Sequence, residues 1–172
     1  KDGSLFLHKG GAKGVYYDAT VHPSFIDVIF NRDNYSKKIY QGVKWSTNVI
    51  DDNLLSYPEE TIDYITLWNE LKQSGRIAVV AKDNIADIEF TARKVETVWN
   101  LNTFRNIAIA NTVFNTDFYS DYTPVAPATQ ISWFRKTRFI DKYLICRLEY
   151  LNLQDHTLFL LDTDVTYRKS AR

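Results

Sequence analysis

Apolar alternation with a period of two, repeated segment after segment, is the feature that most narrows what this chain can fold into. It runs through residues 24–31 (SFIDVIFN), 38–50 (KIYQGVKWSTNVI), 62–69 (IDYITLWN), 76–81 (RIAVVA), 94–101 (KVETVWNL), 143–151 (YLICRLEYL) and 157–167 (TLFLLDTDVTY). These stretches are rich in Val, Ile, Thr, Tyr, Phe and Trp, which suit a pleated, half-buried surface, so each predicts a strand. Gly42 interrupts the second stretch and predicts a bend or bulge there. Turn signals punctuate the rest: Lys9-Gly10-Gly11, Asn31-Arg32-Asp33-Asn34, Asp51-Asp52-Asn53, Ser74-Gly75 and Gln154-Asp155. Long amphipathic helices are missing, and the best short helical candidates, 58–62 and 83–90, read equally well as loops. The fold expected is all-β, an antiparallel β-sandwich with a C-terminal β-hairpin and little helix. The hairpin pairs residues 141–152 with 157–167 across Gln154-Asp155. In its first arm Leu144, Cys146, Leu148 and Tyr150 form the more apolar alternate set and are expected to face the core.

A chain of 172 residues, 45% of them hydrophobic, is long enough to bury a real core and has the size of one ordinary domain, so residues 1–172 are expected to form a single unit. Only 115–130 (NTDFYSDYTPVAPATQ) is a long stretch without clear alternation, and it reads as a loop or a strap. The 21 Lys and Arg balance the 21 Asp and Glu, which argues against a bare electrostatic nucleic-acid binder. No apolar run is long enough for a membrane-spanning helix, so no membrane partner is expected. The chain contains no Met and begins at Lys1, which reads as a fragment of a larger protein, cleaved or excised.

Signatures of catalysis are weak. His8, His22 and His156 stand far apart, outside any ligand-spaced pair, and Cys146 alone supplies neither an internal disulfide nor a cysteine metal site, so no metal is expected. Cys146 reads instead as a small buried hydrophobe. No nucleophile elbow surrounds any Ser. Asp162 and Asp164 alternate onto one strand face, which reads as solvated rather than as a calcium site. HKGGAKG precedes VYYDATV, a strand-like stretch, so the glycines do not make a phosphate cradle at a helix start. Neither a cofactor nor an enzymatic activity is expected. Trp45, Trp68 and Trp99 sit in alternating strands and read as core, whereas Phe118, Tyr119 and Tyr122 are loop-borne and available to a partner.

The stretch from Arg135 to Arg172 opens and closes on basic residues. Arg135, Arg138 and Arg168 are expected to hold carboxylates or backbone carbonyls, within the domain or on a neighbouring subunit, with Asp141 the near candidate for Arg138 and Asp162 and Asp164 for the other two. Together with Phe118, Tyr119 and Tyr122 they form the candidate interface set. Because acids lie in the same segment, no direct DNA binding is expected.

The ordered series SFIDVIFNRDNYSKKIYQGVKWSTNVI, IDYITLWNELKQSGRIAV, WNLNTFRNIAIAN, RKTRFIDKYLICRLEY and DTDVTYRKSAR resembles the C-terminal region of crAss-like bacteriophage muzzle or stabilisation tail proteins. The likeness runs from about Ser24 to Arg172. It is carried by Trp68, Asn69 and Glu70, by Arg135, Arg138, Asp141, Lys142 and Tyr143, and by Tyr167 and Arg168. It implies a structural role in the virion, at the tail, with other tail subunits as partners, homo-oligomeric assembly in the particle and no catalytic residues. The alternative from another class is a carbohydrate-binding module that contacts host surface glycans through its loop aromatics.

Overall fold

The computed structural model describes residues 22–33, 35–69, 72–79, 92–102, 104 and 138–170. These residues contain nine strands and no helix. In chain order the strands are β1 (Ser24–Phe30), β2 (Lys38–Ile50), β3 (Tyr64–Trp68), β4 (Gln73–Ala78), β5 (Arg93–Val95), β6 (Val98–Leu101), β7 (Ile140–Asp141), β8 (Leu144–Tyr150) and β9 (Thr157–Lys169). They make two antiparallel sheets, so the all-β, sandwich-like expectation holds. One sheet has the order β1-β8-β3-β4. The other is built on β2, which pairs with β9 from Lys38 to Ile50, while β7 and β6 pair with it at Lys38–Ile39 and Val43–Trp45. Since a strand has two edges, β9 occupies one and β7 and β6 share the other in tandem.

Register explains which side chains meet. Ile26, Val28 and Phe30 of β1 lie opposite Leu148, Cys146 and Leu144 of β8, and Ile65 and Leu67 of β3 lie opposite Leu148 and Cys146. This face packs against Tyr40, Val43, Trp45, Trp99, Leu101 and Val165 of the other sheet, giving one core. The apolar set Leu144, Cys146, Leu148 and Tyr150 is therefore inward, as the alternation predicts, and Cys146 is fully buried. Burial pushes its thiol far above the ordinary value. Trp45, Trp68 and Trp99 are buried too. The indole N–H of Trp45 donates to Thr61 Oγ1 at 2.9 Å, so its one polar atom is satisfied inside the core.

Bulges reset the alternation twice. Tyr40 lies opposite Tyr167 but Gly42 opposite Thr166, which leaves Gln41 as the extra residue. Inward positions on β2 therefore change from Lys38 and Tyr40 to Val43 and Trp45. Glycine is required at the step: a Cβ on Gly42 would sit 2.6 Å from Asn102 Oδ1 and 2.9 Å from Thr166 Oγ1. The second shift, at Ser46/Thr47, leaves Leu161 of β9 unpaired, so Leu158 and Leu160 face the core before it and Val165 after it.

Three expectations need correction. The C-terminal hairpin does not form: β8 pairs with β1 and β3, whereas β9 pairs with β2 in the opposite sheet. Both edges of β8 are already occupied, so residues 151–156 form an arch that carries the chain between layers. Asn152 holds it closed, its side chain donating to His156 O at 2.7 Å and accepting from His156 N at 2.8 Å, with Asp155 left-handed at φ 58°. Residues 94–101 are not one strand but the hairpin of β5 and β6, reversed at Glu96-Thr97, where Glu96 has φ 57°. Ser74-Gly75 is not a turn: both residues lie within β4, where Gly75 takes φ 71° beside a register shift against β3. The short helical candidate at 58–62 is irregular chain, and the candidate at 83–90 lies outside the described residues.

Candidate binding cleft between two strand edges

β1 ends its sheet, and β9 pairs only with β2 among the described strands. The two strands lie beside one another on the same flank of the sandwich, one in each layer. Ser24, Phe25 and Ile26 share a cavity with Thr157, Leu158 and Leu160, while Ile29 and Phe30 share a second with Asp164, Val165 and Tyr167. The two cavities, of about 350 and 160 Å3, lie between the same two strands, the larger beside the start of β1 and the smaller beside its end. Phe25 and Ile26 line the larger cavity and Ile29 the smaller, and all three are exposed; Phe159 and Leu161 of β9 are exposed outside both linings.

The larger cavity is walled by a polar network. Glu60 accepts from Tyr150 Oη at 2.5 Å through Oε1 and lies 2.8 Å from His156 Nδ1 through Oε2. The imidazole stacks on Tyr57 with ring centroids 4.2 Å apart, and Tyr57 donates to Asp51 Oδ2 at 3.3 Å. Burial, aided by the hydrogen bond to Glu60, pushes the Tyr150 phenol far up, so it remains a donor. Asp51 in turn caps its own turn by accepting from the backbone N–H groups of Leu55 and Asn53, which holds its carboxyl below the ordinary value. The network ties the loop after β2, the end of β8 and the arch to one carboxylate. A carboxylate that orients an imidazole is also a component of acid–base sites, but both oxygens of Glu60 are engaged, and among the described residues no hydroxyl or thiol is bonded to His156 as a nucleophile.

The smaller cavity is lined by a buried cation. Lys38, only 1% exposed, donates through Nζ to the carbonyl of Lys142 and lies 5.8 Å from the centre of the Tyr167 ring. Loss of solvent lowers its pKa. Tyr40 Oη is within 3.2 Å of Phe30 O and 3.3 Å of Lys142 O, and burial pushes its phenol up. Lys169 at the end of β9 reaches Asp33 at 2.7 Å in the turn after β1, so an ion pair bridges the two layers. Asp33 is held below the ordinary carboxylate value by that bond first and by Ser36 second.

Of the residues the sequence nominates, Arg138 is exposed and contributes its carbonyl, which accepts from Lys72 Nζ at 2.7 Å. It is not paired with Asp141 among the described residues: the Asp141 carboxylate accepts the backbone N–H of Lys142 at 2.7 Å. Arg168 is exposed on β9 opposite Ile39, away from any described acid partner. Asp162 and Asp164 are exposed on one strand face, as expected. Arg135, Phe118, Tyr119 and Tyr122 lie outside the described residues. The partners that do form were not nominated. Arg147 binds Asp27 through two bonds of 2.8 Å, and Arg76 binds Glu149 at 2.8 Å. The first is a direct cross-strand pair, 120 residues apart in sequence, and no local motif announces it.

No family model and no curated protein matches the chain. What the site can do therefore rests on its own geometry. Among the described residues it presents exposed apolar side chains and strand edges that no described strand pairs.

Proposed function

We propose that this chain is a structural, non-enzymatic module of a phage tail, of the muzzle or stabilisation type, that serves virion assembly. One observation carries the reading: two neighbouring strands, one from each layer and each at an edge among the described strands, leave Phe25, Ile26 and Ile29 exposed at the cavities between them, with Phe159 and Leu161 also exposed on β9. A lone soluble domain protects such edges, whereas a subunit of a larger assembly uses them. The resemblance over residues 24–172 points to the tail, with other tail subunits and further copies of this chain as neighbours in the virion. Balanced charge supports protein rather than nucleic-acid partners.

The carbohydrate-binding alternative calls for aromatic rings exposed as platforms. Trp45, Trp68 and Trp99 are at most 8% exposed and supply no platform, which leaves this reading to other rings, Phe118, Tyr119 and Tyr122 among them. Mass spectrometry of purified virions tests the assembly reading. The chain should be found among the tail proteins; absence from particles overturns the assignment, and saturable binding on a glycan array would put the sugar reading in its place.

A further inference from the structure

The smaller cavity, of about 160 Å3, gathers hydrogen-bond donors and few acceptors. Lys38 lines it from the first position of β2 and is only 1% exposed. An ammonium carries three N–H donors, and one of these goes to the carbonyl of Lys142. The Tyr167 ring, with its centre 5.8 Å away, adds a cation–π contact. Among the described residues no carboxylate forms an ion pair with Lys38, because the nearby acids are engaged elsewhere. Asp33 accepts from Lys169 and Ser36, and Asp141 accepts the backbone N–H of Lys142. A buried charge in this position is costly until something of opposite sign meets it.

Two further donors line the same cavity from the turn after β1. Asn31 and Arg32 are exposed, and neither side chain is bonded to a described residue. A cation on the buried side, with a guanidinium and an amide on the exposed side, calls for a ligand that only accepts. We infer that this cavity is a binding site for a small oxyanion of the phosphate class, held by Lys38 within and by Arg32 and Asn31 at the opening. Size agrees: the volume has room for roughly five waters at about 30 Å3 each, which matches the heavy atoms of a phosphate and exceeds those of a bare carboxylate. Phe30 and Val165 make part of the wall apolar, which strengthens charge-assisted bonds inside it. Asp164, the one acid in the lining, is exposed on β9 and opposes the anion, so it limits affinity. The bound anion would join the turn after β1 to β2, and so one layer to the other, beside the Lys169–Asp33 pair that already spans them.

The site stands independently of the tail assignment, since a free anion binds pure protein. Nuclear magnetic resonance of the isotope-labelled full chain, titrated with sodium phosphate and separately with sodium chloride of equal ionic strength, is the test. Phosphate should give saturable shifts at Asn31, Arg32, Lys38 and Tyr167, and chloride should not reproduce them. Arg32→Ala should weaken binding roughly tenfold, and Asp164→Asn should tighten it roughly threefold, by removing an attractive and a repulsive charge. Lys38→Met should abolish saturation; if the buried position does not tolerate it, the two exposed variants carry the test. Shifts that chloride matches would reduce the effect to charge screening and overturn the inference. Affinity unchanged by Arg32→Ala, or not raised by Asp164→Asn, would overturn it as well.

Discussion

β8 and β9 look alike as sequence, two long alternating strands on either side of a short polar turn, and they live in opposite circumstances. β8 is flanked by β1 and β3 and buried on both faces, to the extent that Arg147 and Glu149 are only 9% and 8% exposed. β9 has one partner among the described strands, nearly twice the length, and mostly exposed or half-exposed side chains, with Leu161 at 65%. The difference teaches that alternation marks a strand and its faces, whereas neighbours decide its energetic weight. In β8 even the polar set is structural, because a buried guanidinium must be paired. In β9 leucine itself stands in solvent.

The comparison is tested most strongly by truncating one leucine in each strand. Leu148→Ala removes a side chain packed between the layers and is expected to cost about 2–5 kcal/mol in urea unfolding, whereas Leu161→Ala is expected to stay within about 0.5 kcal/mol. Equal losses would mean that β9 is as covered as β8. Gly42→Ala tests the bulge that aligns β2 with β9. Its methyl would press on Asn102 and Thr166, and the expected loss is about 1–3 kcal/mol, read from the same unfolding curves.

The link between the two strands should be next in size. Glu60→Ala leaves the Tyr150 hydroxyl and the His156 ring without their shared acceptor, an expected loss of about 1–3 kcal/mol. Nuclear magnetic resonance should show the disturbance concentrated in residues 151–156 and at the end of β8. Unchanged arch resonances would show that Asn152 alone holds the crossing.

Acid titration carries the smallest expected effect. Asp33 and Asp51 have carboxyls held below their ordinary value of 3.8, Asp33 chiefly by Lys169 and Asp51 chiefly by the Leu55 N–H. A lowered folded pKa stabilises above the unfolded value, and that contribution is lost as pH falls through the folded one. The melting temperature should therefore drop as pH is taken from neutral to below 3.8, and the Asp33→Asn, Asp51→Asn double variant should show a shallower drop. An identical slope would assign the acid limb to other carboxylates.

Much of the fold was legible before any coordinate. Period-two stretches located β1, β2, β3, β8 and β9, the inward set of β8 followed from its apolar alternate residues, and Gly42 marked the bulge. Strand ends were less legible where local conformation overrode pattern. Residues 94–101 (KVETVWNL) read as one strand, yet left-handed Glu96 folds them into a hairpin. The cleft was scarcely legible. Its groups come from β1, the loop after β2, β8 and β9, and Glu60 lies 96 residues from His156.

What the sequence determined by itself is which residues form strands, which side of each strand is apolar, and that one core collects them, because alternation and side-chain shape act over a few residues. The tertiary structure decided which sheet each strand joins. A turn of six residues between β8 and β9 permits a hairpin or an arch, and the choice depends on whether the edges of β8 are free. They are occupied by β1 and β3, from far earlier in the chain, so β9 crosses to β2. The same long-range competition pairs Arg147 with Asp27 and leaves the outer edge of β1 without a partner among the described strands, since backbone hydrogen-bonding capacity is identical in every strand and only the assembled layers determine where it is spent.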